Sequence, residues 1–415
     1  MKFDNIIIGG GLSGLVCGLR LQKAGKKCAI VSEGQNALHF FSGGFGLLSR
    51  LPDGTAVDEP LKAIANLESE HPYSKIGADA VARYAEDAKN LLNENGVNVK
   101  GSAEKNRFVI SAGGSLKSAW LTIDDIASVE SRSEKLGDKV LIVNIEGFLD
   151  FNTAFIAEAL EKRGMNCRIV AVSTEETKQL RRNPSEMRSS NIAKVMENEP
   201  SRAKFVEAVK AQIKDDDCIV LPAVFGLKCT CALEDVRKKI GVKTVFIGTL
   251  TPSVAGIRIQ NQLKKAFESA GGTFLMGDEV AGASVKDGKV MSVKTQNLED
   301  IELTAENYIL ASGSYFGHGI VSGVDKVSEP IFGLDVEFAE DRNNWYNADF
   351  FAEQKFMEFG VKSGKKFNAI KDGVEISNLY VIGSVLGGFN PLFEGCGAGV
   401  AIMTAFSVSD SILSR

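Results

Sequence analysis

Histidine is almost missing from this 415-residue chain, which has only His39, His71 and His318. Imidazole-built metal centres have little to work with, and no metal is expected. Cysteine is sparse and odd in number: Cys17, Cys28, Cys167, Cys218, Cys229, Cys231 and Cys396. Several lie inside apolar runs, where a free thiol behaves as a small hydrophobe. That scatter suits a reducing cytoplasm better than a disulfide framework. Cys229-x-Cys231 is the one close pair, and it lacks the C-x-x-C spacing of zinc and iron–sulfur sites. No stretch reaches the ~18 unbroken apolar residues of a spanning helix, so membrane contact would come through other chains of a complex. There is no basic tract with interleaved aromatics and the net charge is −5, so nucleic acid is not expected as a partner.

What the chain does have is bulk and glycine. With 44% hydrophobic residues and 24% charged ones, it can bury a core for two domains, or for one domain with an insertion. Phe3–Ile8 is a β-branched, apolar run that stops at three glycines. Leu12, Leu15, Val16 and Leu19 then recur at helical spacing, Gly25 closes the helix, and Cys28–Val31 is a second apolar run. This is a βαβ unit with Gly9-x-Gly11-x-x-Gly14 on its turn. Gly9 permits the tight turn, Gly11 lets a pyrophosphate approach the backbone, and Gly14 lets helix and strand pack closely. Glu33, about 20 residues on, is placed to accept hydrogen bonds from a ribose diol. The fingerprint alone recurs by chance; the flanking strand, helix and acid make it a nucleotide site. An early Asp4 and the glycines argue against a signal peptide.

Further along, GQNALHFFSGGFGLLS is an irregular stretch placed to run over a nucleotide, with Ser42, Gly43 and Gly44 close to it. Residues 55–100 read as helices, including Asp79–Asn95. Lys139–Ile145, Phe151–Lys162 and Cys167–Val172 form another βαβ, whose turn IEGFLDFN offers no phosphate cradle. Thr174–Asp217 is polar and helical in flavour, a cap or partner-facing surface, and Ile219–Leu221 is a strand. After Gly256 come a helix, the strand TFLMGDEV and a hairpin turned at Asp287-Gly288. Tyr308–Ala311 leads into Ser312-Gly313. Leu379–Ile382 ends at Gly383-Ser384, before a helix opened by Gly395, Gly397 and Gly399.

That order of elements resembles the glutathione-reductase-type flavoprotein superfamily. The resemblance implies an α/β fold: a Rossmann-like FAD/NAD(P)-binding domain, with a parallel sheet plus a β-meander. The discontinuous flavin domain would comprise residues 1–50, 250–325 and 370–415. Residues 51–249 and 326–369 would form an inserted α/β or α+β cap. More closely, QNALHFFSGGFGLLSRLPDG, LPAVFGL, TPSVAGIRIQNQL, YILASGSYF, EPIFGLDV, WYNADFF and NLYVIGSVLGGFNPLFEGCGAGV resemble the B-subunit family of anaerobic glycerol-3-phosphate dehydrogenase. The likeness covers nearly the whole chain. It implies a three-chain enzyme that oxidises glycerol 3-phosphate to dihydroxyacetone phosphate on the cytoplasmic face of the cell membrane. Its partners would be a catalytic flavoprotein chain (the A-subunit) and an iron–sulfur, membrane-anchoring chain (the C-subunit). The latter would pass electrons to menaquinone, with fumarate or nitrate as terminal acceptor. The resemblance implies FMN as the flavin, whereas the Gly9, Gly11, Gly14 and Glu33 equipment suits an adenosine diphosphate group and hence FAD.

The flavin carries the redox chemistry and the chain must place it. The ring system is expected near Ser42–Gly44 and Gly387, Gly388 and Phe389, with Gly313, Gly383 and Ser384 along the cofactor. Ser384 stands where many relatives carry aspartate. The helix opening at Gly395, Gly397 and Ala398 would face the pyrimidine end. Its dipole contributes about 0.3–1 kcal/mol, roughly 6–20 mV for a two-electron couple. For the substrate, Arg258 is the candidate phosphate clamp, with His39 and His318 as candidate bases. Two other readings stay open: a stand-alone flavin oxidoreductase of fumarate-reductase type, and a scaffold chain without flavin turnover.

Overall fold

The computed structural model describes residues 1–298 and 301–415. Its main sheet has six strands, in the spatial order Thr273–Met276, Cys28–Ser32, Lys2–Ile8, Thr304–Leu310, Val374–Val381 and Asn368–Lys371. The first five run parallel, and the last pairs antiparallel with Val374–Val381 through a turn at Asp372-Gly373, φ 52° and 76°. Lys2–Ile8 is central and Cys28–Ser32 is buried along its whole length, as continuous apolar strands covered on both faces must be.

Helices Leu12–Lys23, Val254–Ser269 and Gly397–Leu413 pack together. Arg20 stacks 3.9 Å over the Phe406 ring and pairs with Asp410 at 2.8 Å, tying the first helix to the last. The expected hairpin is Val280–Lys286 with Lys289–Thr295. Asp287 and Gly288 sit at φ 51° and 67°, the two positive values a type I′ turn needs. A single bridge, Val293 to Leu303, is all that extends it toward a meander among the described residues.

A second, four-stranded sheet is wholly parallel, in the order Asn166–Val172, Lys139–Ile145, Cys218–Pro222 and Lys243–Ile247. Helices Thr153–Glu161, Glu175–Arg181, Ser189–Glu197, Glu199–Lys210 and Cys231–Ile240 accompany it. Two three-stranded antiparallel sheets built from short segments at residues 44–45 and 99–129 were not expected from the pattern. One cysteine expectation is corrected: Cys229 and Cys231 are joined in a disulfide.

Candidate functional site

Three parallel strands of the main sheet end at one place. Lys2–Ile8 stops at Gly9, whose N–H donates to the Val31 carbonyl at 2.9 Å. Gly9 has φ +116°, and a Cβ on it would lie 2.2 Å from the Ala311 carbonyl oxygen. Thr304–Leu310 runs on into Ser312 and Gly313, and Val374–Val381 into Gly383 and Ser384. A Cβ on Gly383 would sit 2.6 Å from Ser13 Oγ, and one on Gly313 would sit 3.9 Å from Ser384 Oγ. These residues therefore share the crevice outside the carboxyl ends of the strands, where open α/β sheets take their ligands.

Within the fingerprint the three glycines differ. A Cβ on Gly14 would strike the Gly9 carbonyl at 2.0 Å, so packing alone demands glycine there. Gly11 has φ −78°, and the nearest atom to an added Cβ is 3.8 Å away on Asn36. Neither backbone conformation nor packing requires glycine at 11. The open space outside it does, if a phosphate occupies it. Asn36 Nδ2 donates to the Gly10 carbonyl at 2.9 Å and borders that space, and Glu33 is exposed just past the neighbouring strand.

Two helices begin around this crevice without a side-chain cap. Leu12–Lys23 starts from Gly11 and Gly397–Leu413 from Cys396, neither with an acidic residue in its first turn. Ser253, Asn152, Thr174 and Asn198, by contrast, cap their helices with their side chains. The free N–H groups and positive dipole ends suit anionic groups. Ser312 Oγ is buried with no hydrogen-bond partner among the described residues, a polar atom that a bound molecule can satisfy.

The other expected cofactor residues fall into two kinds. Gly43 (φ +100°) packs on Ile126, and Gly44 lies against Ala119 and Val109, so close approach to neighbouring chain fixes both. Ser42 beside them is half-buried. Gly387 and Gly388 donate to the Val361 and Glu358 carbonyls at 3.3 and 3.2 Å, and Gly395 (φ +63°) closes on Ser49. Residues 46–49 and 394–399 are joined by Ser49 N–H to the Glu394 carbonyl (2.7 Å) and by Gly399 N–H to the Gly46 carbonyl (2.8 Å). Gly397 and Ala398 stay half-buried in the first turn of the last helix.

The candidate substrate residues are placed otherwise. Arg258 is 3% exposed, forms an ion pair with Asp125 and donates to the Gly226 carbonyl. Its guanidinium is spent inside the protein, so the phosphate-clamp expectation is corrected. His39 Nε2 bonds Gln260 Oε1 at 2.8 Å, half-buried under helix Val254–Ser269. His318 is exposed, at φ 55° past a short 3₁₀ turn. The two histidines share a neighbourhood through the rings of Phe40 and Phe316, which meet edge to face at 4.4 Å.

Residues 71, 394 and 396 form a buried cluster that spacing alone did not reveal. His71 Nδ1 accepts the Tyr73 N–H at 3.1 Å, which leaves the proton on Nε2 to donate to Glu394 Oε2 at 3.0 Å. Cys396 Sγ donates to the same oxygen at 3.6 Å, and Asn390 N–H to the other at 2.7 Å. Neutral donors thus hold one buried carboxylate. A metal on Nε2 would need the ring proton on Nδ1, where the Tyr73 N–H already points. Burial pushes the Cys396 thiol well above its ordinary range, with the Glu394 charge adding to the effect. The cluster clamps the turn before the last helix.

A family profile described as "FAD binding domain" matches residues 4–400. The B-subunit of anaerobic glycerol-3-phosphate dehydrogenase from Pectobacterium atrosepticum is 39% identical over 418 residues, covering 100% of this chain and 99% of that one. The same-named proteins of Yersinia enterocolitica and Haemophilus influenzae are 40% and 36% identical, covering 100% of this chain and 99% and 100% of their own. The cofactor is a flavin, FAD, in keeping with the open face at Gly11. When bound, it supplies a two-electron acceptor. No helix among the described residues is long and apolar enough to cross a membrane. With this profile and these relatives over its full length, the chain belongs to the FAD-binding flavoproteins and, within them, to the B-subunit family of anaerobic glycerol-3-phosphate dehydrogenase.

Proposed function

We propose that this chain is the FAD-bearing component of a glycerol-3-phosphate dehydrogenase that oxidises sn-glycerol 3-phosphate to dihydroxyacetone phosphate. Electrons pass to the menaquinone pool, with fumarate or nitrate as final acceptor. A catalytic flavoprotein chain and an iron–sulfur chain, the A- and C-subunits, complete the complex and hold it at the inner face of the cell membrane. The flavin-binding part comprises residues 1–50, 250–325 and 370–415, with 51–249 and 326–369 as the cap. The observation that carries the reading is Gly11, a glycine that nothing in the polypeptide itself requires. The relatives' names support the substrate and the multi-chain assembly.

With Arg258 occupied, Lys117 is the better cation for a substrate phosphate. It lies on strand Leu116–Ala119, two residues before Ala119, so both side chains face the same way. Ala119 Cβ is the atom nearest a Cβ added to Gly44 (2.7 Å), which turns that face toward the 42–48 loop. Lys117 is exposed, so its charged end is open to an incoming phosphate, although surrounding protein atoms lower its pKa. Lys117→Met should raise KM for glycerol 3-phosphate roughly 10–100-fold, the worth of a charged hydrogen bond, with little change in kcat. Flavin released by acid and separated by chromatography should be FAD. Glycerol 3-phosphate should bleach the band near ~450 nm that a flavin cofactor brings. Bleaching that needs the partner flavoprotein would move substrate oxidation to that partner, and a colourless protein that takes up no flavin would overturn the reading.

A further inference from the structure

Five of the seven cysteines are free thiols, four of them buried and Cys167 half-buried. Burial pushes the thiols of Cys28 and Cys218 up to about 12 and that of Cys167 to about 11, and raises Cys17 and Cys396 as well. Cys229 and Cys231 differ. They are bonded to each other with their Cα atoms 5.4 Å apart, Cys229 half-buried and Cys231 exposed. A bond across one intervening residue closes too short a loop to constrain the unfolded chain much, so stabilisation does not account for it.

The pair also occupies a distinctive place. In the second sheet the strands stand, by chain order, 2-1-3-4, so the topological switch point lies between Lys139–Ile145 and Cys218–Pro222. The segment from Ala223 to Thr230 leaves the carboxyl end of Cys218–Pro222 at that point and carries Cys229. Cys231 is the first residue of the ten-residue helix Cys231–Ile240, which has no side-chain cap. The segment is held in place: Glu197 Oε1 accepts Leu227 N–H at 2.7 Å and Lys228 N–H at 3.2 Å, and the Gly226 carbonyl accepts from Arg258. Lys228 and Glu234 are the charged groups nearest in sequence on the loop and the helix. The helix start and Lys228 favour a thiolate, while the Glu234 carboxylate, which accepts from Thr230 Oγ1 at 3.4 Å, opposes it, so the reactivity of the pair rests on the exposure of Cys231.

We propose that Cys229 and Cys231 form a reversible thiol–disulfide exchange site for an external vicinal dithiol. The incoming thiolate attacks the exposed Cys231 Sγ. The Cys229–Cys231 bond breaks, and Cys229 leaves as thiolate and takes a proton from solvent. The donor's second thiolate then attacks its own sulfur in the mixed disulfide, releasing Cys231. Two electrons have moved from the donor, now a disulfide, to this chain, now a dithiol.

The test uses the full-length protein, poised in buffers of reduced and oxidised dithiothreitol, alkylated under native conditions and mapped by peptide mass. Cys229 and Cys231 should open and close together in one two-electron transition. In the reduced native protein, Cys231 should be alkylated at least about tenfold faster than any of the five other thiols, four of them buried and Cys167 half-buried. Cys229→Ser should leave a Cys231 that forms a one-to-one mixed disulfide with oxidised glutathione. A pair that stays as thiols in oxidising buffer, a bond that opens only on unfolding, or faster labelling of another cysteine would each overturn the proposal. The readout is thiol chemistry, so it stands whether or not flavin is bound.

Discussion

Gly11 and Gly14 are three residues apart in one motif, yet different forces hold them. A methyl group at Gly14 meets the Gly9 carbonyl at 2.0 Å, whereas one at Gly11 meets nothing closer than 3.8 Å. Gly14→Ala should destabilise the chain by at least about 1–3 kcal/mol, as overpacking does. Gly11→Ala should cost the apoprotein no more than about 1 kcal/mol, the difference between glycine and alanine at a helix start, and abolish FAD binding, read by urea unfolding and by flavin fluorescence titration. Equal stability losses in the two variants would refute the distinction. Arg258 is a second case in which residue type misleads. Removing one partner of a buried ion pair strands the other charge, at about 3–5 kcal/mol. Arg258→Met should lose that much in denaturant unfolding and Arg258→Met with Asp125→Leu much less, with KM for glycerol 3-phosphate unmoved in the double variant.

Elements defined by local pattern were legible in the sequence, and those defined by distant partners were not. The first βαβ was readable because its strands are continuous apolar runs, and because Leu15, Val16 and Leu19 recur at helical spacing before Gly25 closes the helix, although burial extends to most of its other residues. The Asp287-Gly288 hairpin was readable because two positive φ angles need that kind of dipeptide. Strands Val99–Gly101, Arg107–Ile110 and Leu116–Ala119 were missed: they are three or four residues long, too short to display alternation. Arg258 read as a cation available to a substrate phosphate because its partner Asp125 lies 133 residues away. EPIFGL is another segment whose logic is tertiary. Glu329, 2% exposed, accepts N–H groups from Ile331 and Phe332 at 2.8 Å each, and burial still raises its carboxyl pKa despite them. Folding therefore favours the protonated form. Its contribution to stability is full below the ordinary value of 4.5 and is lost as pH rises through the raised one. Urea unfolding across that window should show the wild type losing stability relative to Glu329→Gln, with the difference levelling above it. A pH-independent difference would count against this account.

At the scale of the molecule, the flavin crevice is assembled from the beginning and the end of the chain. Gly9, Ser13, Gly313 and Gly383 meet across more than 370 positions of sequence. A ligand that binds only the assembled crevice stabilises the fold by mass action, about 2.7 kcal/mol at a hundred times Kd. For a chain of this size that is about 3 °C in Tm. FAD should produce that shift in the apoprotein, and FMN at the same concentration should produce clearly less.

The central place of Lys2–Ile8 in the main sheet has a consequence for biosynthesis. The first strand leaves the ribosome early, while the neighbour on its far side, Thr304–Leu310, is translated roughly 15–60 s later at ordinary elongation rates. For that interval a nascent hydrophobic segment has one flank unsatisfied, the kind of unpaired edge that makes folding intermediates prone to aggregate.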